Sequence, residues 1–349
     1  MKAVLKPRIN LDDRTALETV IPLPAPFVLF IDPSSACNFR CTFCPTGDHE
    51  LIRSTGRYQG VLSFELFKKI IDDLKDFEKP IKVLRLYKDG EPLLNKNFAK
   101  MVRYAKDSGH VPYVDTTTNG FYLTHEKSLE IIDCGLDRIN ISVDGLSDAD
   151  FMRYTKTKVD FTKFVDNIKF LYDNKKDLEI FIKMPGDFLT DVDKQFFFDT
   201  FGDICDRISL ENFTPCWPVF DVEERMGIDI TTGIYNNPIV DIKTCPYIFY
   251  SVSVNADGLV SLCYLDWARK LLVGDVRTQS LREIWEGDEI FNHRIAHLRG
   301  KRKENPVCAE CGQLSHCLAD NIDPYAGMLA DKLIELRKTT PRFMTTTQG

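Results

Sequence analysis

The sequence lacks long apolar runs, a signal peptide and blocks of positive charge. Nowhere in its 349 residues does an apolar run approach the ~20 residues of a membrane-spanning helix, and the amino-terminal stretch MKAVLKPRINLDDRTALETV has no apolar signal core. Lysine and arginine form no long block, and the net charge is −7. These absences predict a cytoplasmic protein with neither a membrane nor a nucleic acid as its main partner.

Histidine is scarce, with six residues, whereas cysteine is plentiful, with eleven. Disulfides are rare in a reducing compartment, so clustered cysteines indicate a metal site or redox chemistry. Cys37, Cys41 and Cys44 lie together in the stretch CNFRCTFC, and five more cysteines lie between Cys245 and Cys317. The other three are isolated and are predicted to be small buried hydrophobic residues: Cys134, Cys205 and Cys216.

Short β-rich runs alternate with amphipathic helical segments over the first two thirds of the chain. Six strands are predicted, at 27–32, 82–87, 111–118, 138–143, 178–184 and 207–213. This alternation favours a parallel sheet with right-handed crossovers, either an open partial barrel or a doubly wound sheet. In both folds ligands bind at the carboxyl ends of the strands, and the first cysteine group directly follows the first predicted strand.

After Pro218 the alternation stops and a small cysteine-rich α+β module is predicted. Its clearest element is a hairpin, YSVSVNADGLVSLCYL, with a turn at 256–258, and a helical stretch and three cysteines follow. Four parts are predicted. They are an amino-terminal extension (1–26), a partial barrel (27–218), the cysteine-rich module (219–325), and a carboxyl-terminal helix with a loose tail (326–349).

The pattern Cys-x3-Cys-x2-Cys, with Phe43 before the last cysteine, resembles the signature of the radical S-adenosylmethionine (SAM) superfamily. The resemblance implies a partial (β/α)6 TIM-like barrel and a 4Fe–4S cluster on Cys37, Cys41 and Cys44. It also implies that the fourth iron binds the amino and carboxylate groups of SAM, with Phe43 near the adenine. The alternative is a zinc knuckle that uses His49 as its fourth ligand.

The stretch KDGEP at 88–92 resembles the Gly-Gly-Glu-Pro motif of that superfamily, which receives the amino group of SAM. The resemblance assigns SAM binding to Asp89, Gly90, Glu91 and Pro92, although Asp89 stands where the family has its first glycine. Taken alone, this stretch is also typical of an ordinary turn.

Polar residues at the ends of later predicted strands match the same family. Asn119 lies in TTTNG, and Ser142 and Asp144 resemble the residues that hold the ribose or carboxylate of SAM. Lys183 is a further candidate for the SAM carboxylate. The alternative for each residue alone is a cap, a turn or a solvated side chain.

The later cysteines resemble the SPASM module, which follows many radical SAM domains. Cys245 and Cys263 flank the hairpin, with Gly258 five positions before the second, and Cys308-x2-Cys311-x5-Cys317 follows. No cysteine lies beyond Cys317, and five thiolates cannot fully ligate two clusters. We therefore expect one auxiliary 4Fe–4S cluster, as in the shortened "twitch" form, held by Cys245, Cys263, Cys308 and Cys311, with Cys317 as a spare or as a replacement for Cys311. The alternative is a four-cysteine zinc site.

The resemblance implies an enzyme in which reduced SAM yields methionine and a 5′-deoxyadenosyl radical, which removes a hydrogen atom from carbon. If that carbon bears a hydroxyl, an auxiliary cluster accepts one electron and a carbonyl forms. We expect a small sugar-like, cyclitol-like or nucleotide-sugar substrate, and flavodoxin or ferredoxin as electron donor. The alternatives are a peptide or protein maturase and a non-catalytic iron–sulfur or zinc protein. Only 36 residues precede Cys37, which disfavours a maturase with a fused leader-binding domain.

A base for the hydroxyl proton is predicted between the two cysteine groups. The candidates are Asp266 and Tyr264, which would share a face if they lay in one strand, and Glu211 at the end of the sixth strand. An exposed surface residue is the alternative for any one of them.

Overall fold

One mixed sheet of ten strands organises the computed structural model, which describes residues 1–9, 12 and 14–339. The strands are β1 Val4–Leu5, β2 Val28–Ile31, β3 Val83–Arg85, β4 Val114–Thr118, β5 Arg138–Ser142, β6 Glu179–Pro185, β7 Arg207–Glu211, β8 Ser251–Val254, β9 Leu259–Ser261 and β10 Leu272–Asp275. Their spatial order is β1-β7-β6-β5-β4-β3-β2-β8-β9-β10, parallel as far as β8 and antiparallel from there on.

All six predicted strands are present as β2 to β7, and they lie in consecutive order. A doubly wound sheet reverses its strand order at a switch point, and this sheet has no reversal among these strands. Right-handed crossovers between consecutive strands keep the connecting helices on one face, so the other face curls around a lumen. The partial TIM-like barrel is confirmed.

Helices connect the strands and cover the outer face. The helices are α1 Leu17–Val20, α2 His49–Thr55, α3 Phe64–Asp72, α4 Phe98–Asp107, α5 His125–Asp133, α6 Asp148–Thr155, α7 Phe161–Asn174, α8 Asp191–Phe201, α9 Val222–Met226, α10 Tyr247–Tyr250, α11 Leu281–Trp285, α12 Asp288–Leu298, α13 Pro306–Ala309, α14 Gln313–His316 and α15 Ala326–Thr339. Ser63 and Thr124 cap α3 and α5 by accepting bonds from Leu66 N and Lys127 N, so each helix starts at a local sequence signal. In the described ranges, no helix combines the length and the apolar character needed to cross a membrane.

The strands of the barrel alternate between apolar outer residues and polar inner residues. Ile139, Ile141, Ile180 and Ile182 are fully buried on the helix-facing side. On the inner face the cross-strand register aligns opposite charges in the order Arg85, Asp115, Arg138 and Glu179. The shortest of these pairs joins Arg138 Nη2 to Asp115 Oδ2 at 2.7 Å, and such pairs fix strand register across a sheet.

The carboxyl-terminal module shares the barrel's sheet. Its hairpin forms as predicted, with Gly258 in the turn at φ 91°, and β8 pairs in parallel with β2 along all four residues of each strand. At the other edge, β1 of the amino-terminal segment pairs with β7, which the sequence analysis did not predict. The predicted loose tail lies largely at 340–349, outside the described residues, whereas α15 continues to Thr339.

Candidate active site

A cavity of about 720 Å³ lies on the inner face of the sheet. Its wall includes Cys37, Cys41 and Cys44 together with most of the residues predicted to bind a cofactor: Phe43, Asp89, Gly90, Glu91, Asn119, Ser142, Asp144 and Lys183. Pro92 does not line it, because it starts a short 3-10 helix at Pro92–Leu94. Of the three candidate bases, Tyr264 and Glu211 line the wall and Asp266 does not.

The loop with the first cysteine group is held on both sides by backbone hydrogen bonds. Ser35 N donates to Gly60 O at 2.9 Å, and Arg40 N and Thr42 N donate to the end of α6 at 2.9 and 2.8 Å. The three thiols are half-buried, and burial raises the pKa of each of them, that of Cys37 to about 12. Three thiols grouped on one loop suit an iron–sulfur cluster, because bound iron would stabilise their thiolates against this effect of burial.

Gly90 brings the loop after β3 into close contact with the cysteine loop. A Cβ on Gly90 would lie 2.1 Å from Ala36 O and 2.4 Å from Ser34 O, so only glycine fits. Glu91 N donates to the same Ala36 oxygen at 2.9 Å. The KDGEP stretch therefore fixes the loop that presents Cys37.

The carboxylate of Glu91 joins the ends of β3 and β4. It accepts hydrogen bonds from Leu93 N at 2.9 Å, Thr118 Oγ1 at 2.7 Å and Asn119 N at 2.8 Å. Burial raises the pKa of Glu91 to about 6 despite these bonds. Asn119 in turn places its side-chain nitrogen 3.9 Å from the Cys37 sulfur, so this network leads from the motif to the cysteine.

Asp89, at the position of the first glycine in the motif that this stretch resembles, directs its carboxylate into a buried ion cluster. Its Oδ2 lies 2.9 Å from Arg57, 3.0 Å from Lys88 and 2.6 Å from Arg269. Arg269 comes from the loop between β9 and β10, so this carboxylate connects the barrel to the carboxyl-terminal module. No motif pointed to Arg269, because its role depends on a partner 180 positions away in the chain.

Glu211 is the centre of a second polar cluster on the cavity wall. Its oxygens lie 2.8 Å from Lys183 Nζ and 3.2 Å from Arg8 Nε, and Tyr235 Oη donates to it at 2.8 Å. Burial alone would raise the pKa of Glu211, but Arg8 and Lys183 outweigh it and lower the pKa to about 2. Lys183 thus has a carboxylate partner, and Arg8 is a site residue that sequence reasoning missed. Asp144 lies nearby, and burial raises its pKa to about 7.

Tyr264 and Asp266 lie in a turn after β9, so the premise that they share a strand face is wrong. The Asp266 carboxylate is buried and accepts bonds within its own turn, from Ser261 Oγ at 3.0 Å and from the backbone of 270 and 271 at 2.8 and 2.9 Å. Tyr264 instead stacks on Phe30 of β2, with ring centroids 4.6 Å apart. Asp266 therefore shapes the turn, and Tyr264 faces the cavity.

In the second cysteine group four thiols are mutual neighbours: Cys245, Cys263, Cys308 and Cys311. Burial raises the pKa of each, and in every pairing of the four a neighbouring thiolate raises it further. Cys317 is near Cys311 alone among these four, its sulfur lies 3.6 Å from Thr214 Oγ1, and it lines the cavity.

Among the isolated cysteines, Cys134 and Cys205 lie in the hydrophobic core as predicted. Cys216 is also buried, but it lies beside Cys317 and Cys311 on the cavity wall, which its position in the sequence did not suggest. His49, the candidate fourth zinc ligand, is exposed at the start of α2. Over the described part of the chain, no three histidine, cysteine or acidic side chains close around the position of a single metal ion.

Two family models match the chain. The model of the radical SAM superfamily covers residues 31–194, and the model of the SPASM iron–sulfur cluster-binding domain covers residues 245–312. The first match spans the first cysteine group and strands β3 to β6, and the second spans the hairpin and four of the five later cysteines.

Curated relatives fall into partial and full-length matches. A GTP 3',8-cyclase of Mesorhizobium japonicum is 34% identical over 37% of this chain and 37% of its own length. The second relative is a Pyrococcus furiosus protein that modifies the cofactor of tungsten-containing aldehyde ferredoxin oxidoreductase. It is 32% identical over 35% of this chain and 32% of its own length. The match therefore spans about a third of the length of each of these relatives. An AdoMet-dependent heme synthase of Methanosarcina barkeri is 23% identical over 86% of this chain and 93% of its own.

Solved structures share the fold at low sequence identity. BtrN in complex with AdoMet and 2-DOIA has a TM-score of 0.53 at 18% identity, covering 85% of this chain and 97% of its own. SuiB of Streptococcus suis bound to precursor peptide SuiA has a TM-score of 0.58 at 14% identity. The match covers 86% of this chain and 73% of the SuiB chain. Native anSMEcpe with bound AdoMet has a TM-score of 0.51 at 16% identity. The match covers 90% of this chain and 99% of the anSMEcpe chain.

The close approach at Gly90 yields a test of the site. Gly90→Ala should displace the cysteine loop, because the new Cβ would overlap two carbonyl oxygens, and should lower the free energy of unfolding by about 1–3 kcal/mol. Protein reconstituted with iron and sulfide should then bind about half the iron of the wild type, because only the first cysteine group is disturbed. The control is Gly327→Ala in α15, where a Cβ meets nothing within 4 Å. Unchanged stability and iron content in Gly90→Ala would contradict the assignment.

Proposed function

We propose that this chain, which belongs to the radical SAM superfamily and carries a carboxyl-terminal SPASM domain, oxidises an alcohol carbon of a small sugar-like or cyclitol-like molecule. The observation that carries the proposal is the extent of the cavity. Its wall runs from Cys37, Cys41 and Cys44 to Tyr264, the residue directly after Cys263. A molecule in this cavity contacts both cysteine-bearing parts of the chain.

The donor set fits the cofactors that these domains imply, namely SAM, a 4Fe–4S cluster and auxiliary iron–sulfur ligation. Cys37, Cys41 and Cys44 would hold the cluster and leave one of its irons to SAM, and the cluster and SAM would together supply a 5′-deoxyadenosyl radical. Around that position the chain offers Asn119, Ser142 and Asp144 as polar contacts at strand ends. Phe43, packed against Phe213 with ring centroids 5.1 Å apart, forms an aromatic wall.

The second group supports one auxiliary 4Fe–4S cluster on Cys245, Cys263, Cys308 and Cys311. These four thiols are neighbours in every pairing, whereas Cys317 neighbours only Cys311 among them and lies beside Cys216 and Thr214. When bound, such a cluster can accept one electron from a substrate. The electron donor to the first cluster would be a flavodoxin or ferredoxin.

The chain's own residues narrow the choice of a group that accepts the hydroxyl proton. Asp266 is engaged by three donors in its turn and positions the segment with Tyr264. Tyr264 and Glu211 reach the cavity, and Glu211 is the better acceptor because burial raises the pKa of Tyr264 far above its usual range. The ion pairs of Glu211 with Arg8 and Lys183 weaken it as a base. To free Glu211, the bound substrate has to compete with it for one of these two cations.

A peptide or protein maturase is the second candidate. SuiB, solved with a precursor peptide, has the same fold and a TM-score of 0.58. BtrN, solved with AdoMet and 2-DOIA, is matched over 97% of its length, and five later cysteines suffice for one auxiliary cluster but not for two. The cysteine count favours the small molecule.

Metal content and SAM cleavage test the radical chemistry. Anaerobically reconstituted protein should contain about eight iron atoms, and the triple variant Cys37→Ala, Cys41→Ala, Cys44→Ala should contain about four. With SAM and a reductant, the wild type should form 5′-deoxyadenosine and the triple variant none. The control replaces the core cysteines Cys134 and Cys205 by alanine and should keep both properties. Stoichiometric zinc without iron would contradict the proposal.

The auxiliary ligands are separated by two matched variants. Cys311→Ala should lose the electron paramagnetic resonance signal of the auxiliary cluster, because it removes one of four mutually neighbouring thiols. Cys317→Ala should keep that signal, because its thiol lies beside Thr214 instead. The opposite outcome would exchange the two assignments.

The reaction class is tested with a substrate deuterated at the reacting carbon. Deuterium should appear in 5′-deoxyadenosine, and about one SAM should be consumed per carbonyl formed, since SAM is a co-substrate of a two-electron oxidation. Cys245→Ala should still transfer deuterium yet form no carbonyl. A redox-neutral product, such as an epimer, would refute the oxidation and leave the radical chemistry intact.

A further inference from the structure

Part of the cavity wall is basic and is used by neither cysteine group. It consists of Arg8 from the amino-terminal segment, Arg85 in β3 and Tyr87 just after β3, and we call it the arginine corner. Arg85 Nη1 donates to Tyr87 Oη at 3.3 Å, and the Arg85 guanidinium lies 5.5 Å from the Phe30 ring. Both arginines face the cavity, with 20% of the Arg8 side chain and 29% of the Arg85 side chain exposed there.

The carboxylates near the corner are shared with other cations. Arg85 lies 3.8 Å from Asp115, but Asp115 is paired more closely with Arg138, at 2.7 Å. Arg8 lies 3.2 Å from Glu211, but Glu211 is closer to Lys183, at 2.8 Å. Glu179 lies next in this row, 3.9 Å from Arg138 and 3.2 Å from Arg207. Three carboxylates thus serve five cations, which leaves an excess of positive charge at this part of the cavity wall.

The arginines also retain unused hydrogen-bond donors. A guanidinium carries five N–H groups in a planar fork. Within the described residues, Arg8 donates to Glu211 through Nε, and Arg85 donates to Tyr87 through Nη1. Arg85 Nε is buried without a hydrogen-bond partner among the described residues, which costs free energy, and the exposed N–H groups of both arginines are available to an acceptor in the cavity.

We infer that the arginine corner binds a phosphate group of the substrate, an inference that rests on the proposed function. A dianionic phosphate matches two guanidinium forks and their excess charge, and arginine binds such oxyanions in bidentate fashion. Phe30 and Tyr264, stacked 4.6 Å apart beside the corner, offer an apolar surface for the ring that carries the phosphate. The substrate class is therefore a small phosphorylated alcohol, anchored on the Tyr264 side with its reacting carbon toward Cys37, Cys41 and Cys44.

Binding of simple probes tests this inference without turnover. Isothermal titration of reconstituted protein in the presence of SAM would compare glucose 1-phosphate, inorganic phosphate, glucuronate and glucose. Both phosphates should bind, and glucose should bind at least about tenfold more weakly than its phosphate, as expected for losing charged hydrogen bonds. Added salt should weaken the binding of the phosphates.

The variants Arg8→Gln and Arg85→Gln should each weaken phosphate binding about tenfold, with Arg85→Lys in between because it keeps the charge and loses the fork. Arg103→Gln on the exposed surface of α4 is the matched control and should bind phosphate like the wild type. Circular dichroism and iron content verify folding, and Arg85→Lys replaces Arg85→Gln in the comparison if that variant does not fold.

The inference would be overturned if the folded variants Arg8→Gln and Arg85→Gln bound phosphate as tightly as the wild type. It would also be overturned if Arg103→Gln lost as much phosphate affinity as these two variants. Glucuronate binding as tightly as glucose 1-phosphate would overturn the choice of phosphate and indicate a carboxylate instead. The proposed function fails separately, when the wild type binds phosphate but forms no 5′-deoxyadenosine.

Discussion

The parallel pairing of β8 with β2 is the constraint that relates the two cysteine groups. It joins Val28–Ile31 to Ser251–Val254 in continuous register, so the carboxyl-terminal module continues the barrel sheet. Cys37 follows β2 by six residues, and Cys263 follows the next strand of the hairpin by two. Because the backbone ladder fixes this register, the cavity between the groups has a defined length and shape.

Buried charges reinforce this junction. Asp89 binds Arg57 and Lys88 of the barrel and Arg269 of the module, and all four side chains are at most 8% exposed. Removing the Asp89 carboxylate would be costly, about 3–5 kcal/mol, since it would leave buried cations without their nearest negative charge. The substitution of aspartate for the family's glycine thus has a structural explanation, and Gly90 alone keeps the close backbone approach that the motif needs.

The cavity divides its wall between two kinds of residue. Near the first cysteines, Gly90, Glu91 and Asn119 connect three loops at strand ends through backbone contacts and a buried carboxylate. Farther along, Arg8 and Arg85 present charge that the protein itself does not fully neutralise. The first region holds the residues that resemble the SAM-binding motifs, whereas the second carries the proposed substrate contact.

The sequence by itself determined the six barrel strands, the hairpin and the two cysteine groups, because each depends on local periodicity, a turn or a short spacing. It also located most residues of the upper cavity, since parallel strands bring their carboxyl ends to one edge. Only the tertiary structure decided that Asp266 lies in a closed turn, that Cys216 lies beside Cys317, and that Arg8 reaches Glu211 across 203 positions of the chain. The physical reason is that these contacts join distant segments, so their partners are chosen by packing and charge in the folded protein and leave no spacing in the sequence.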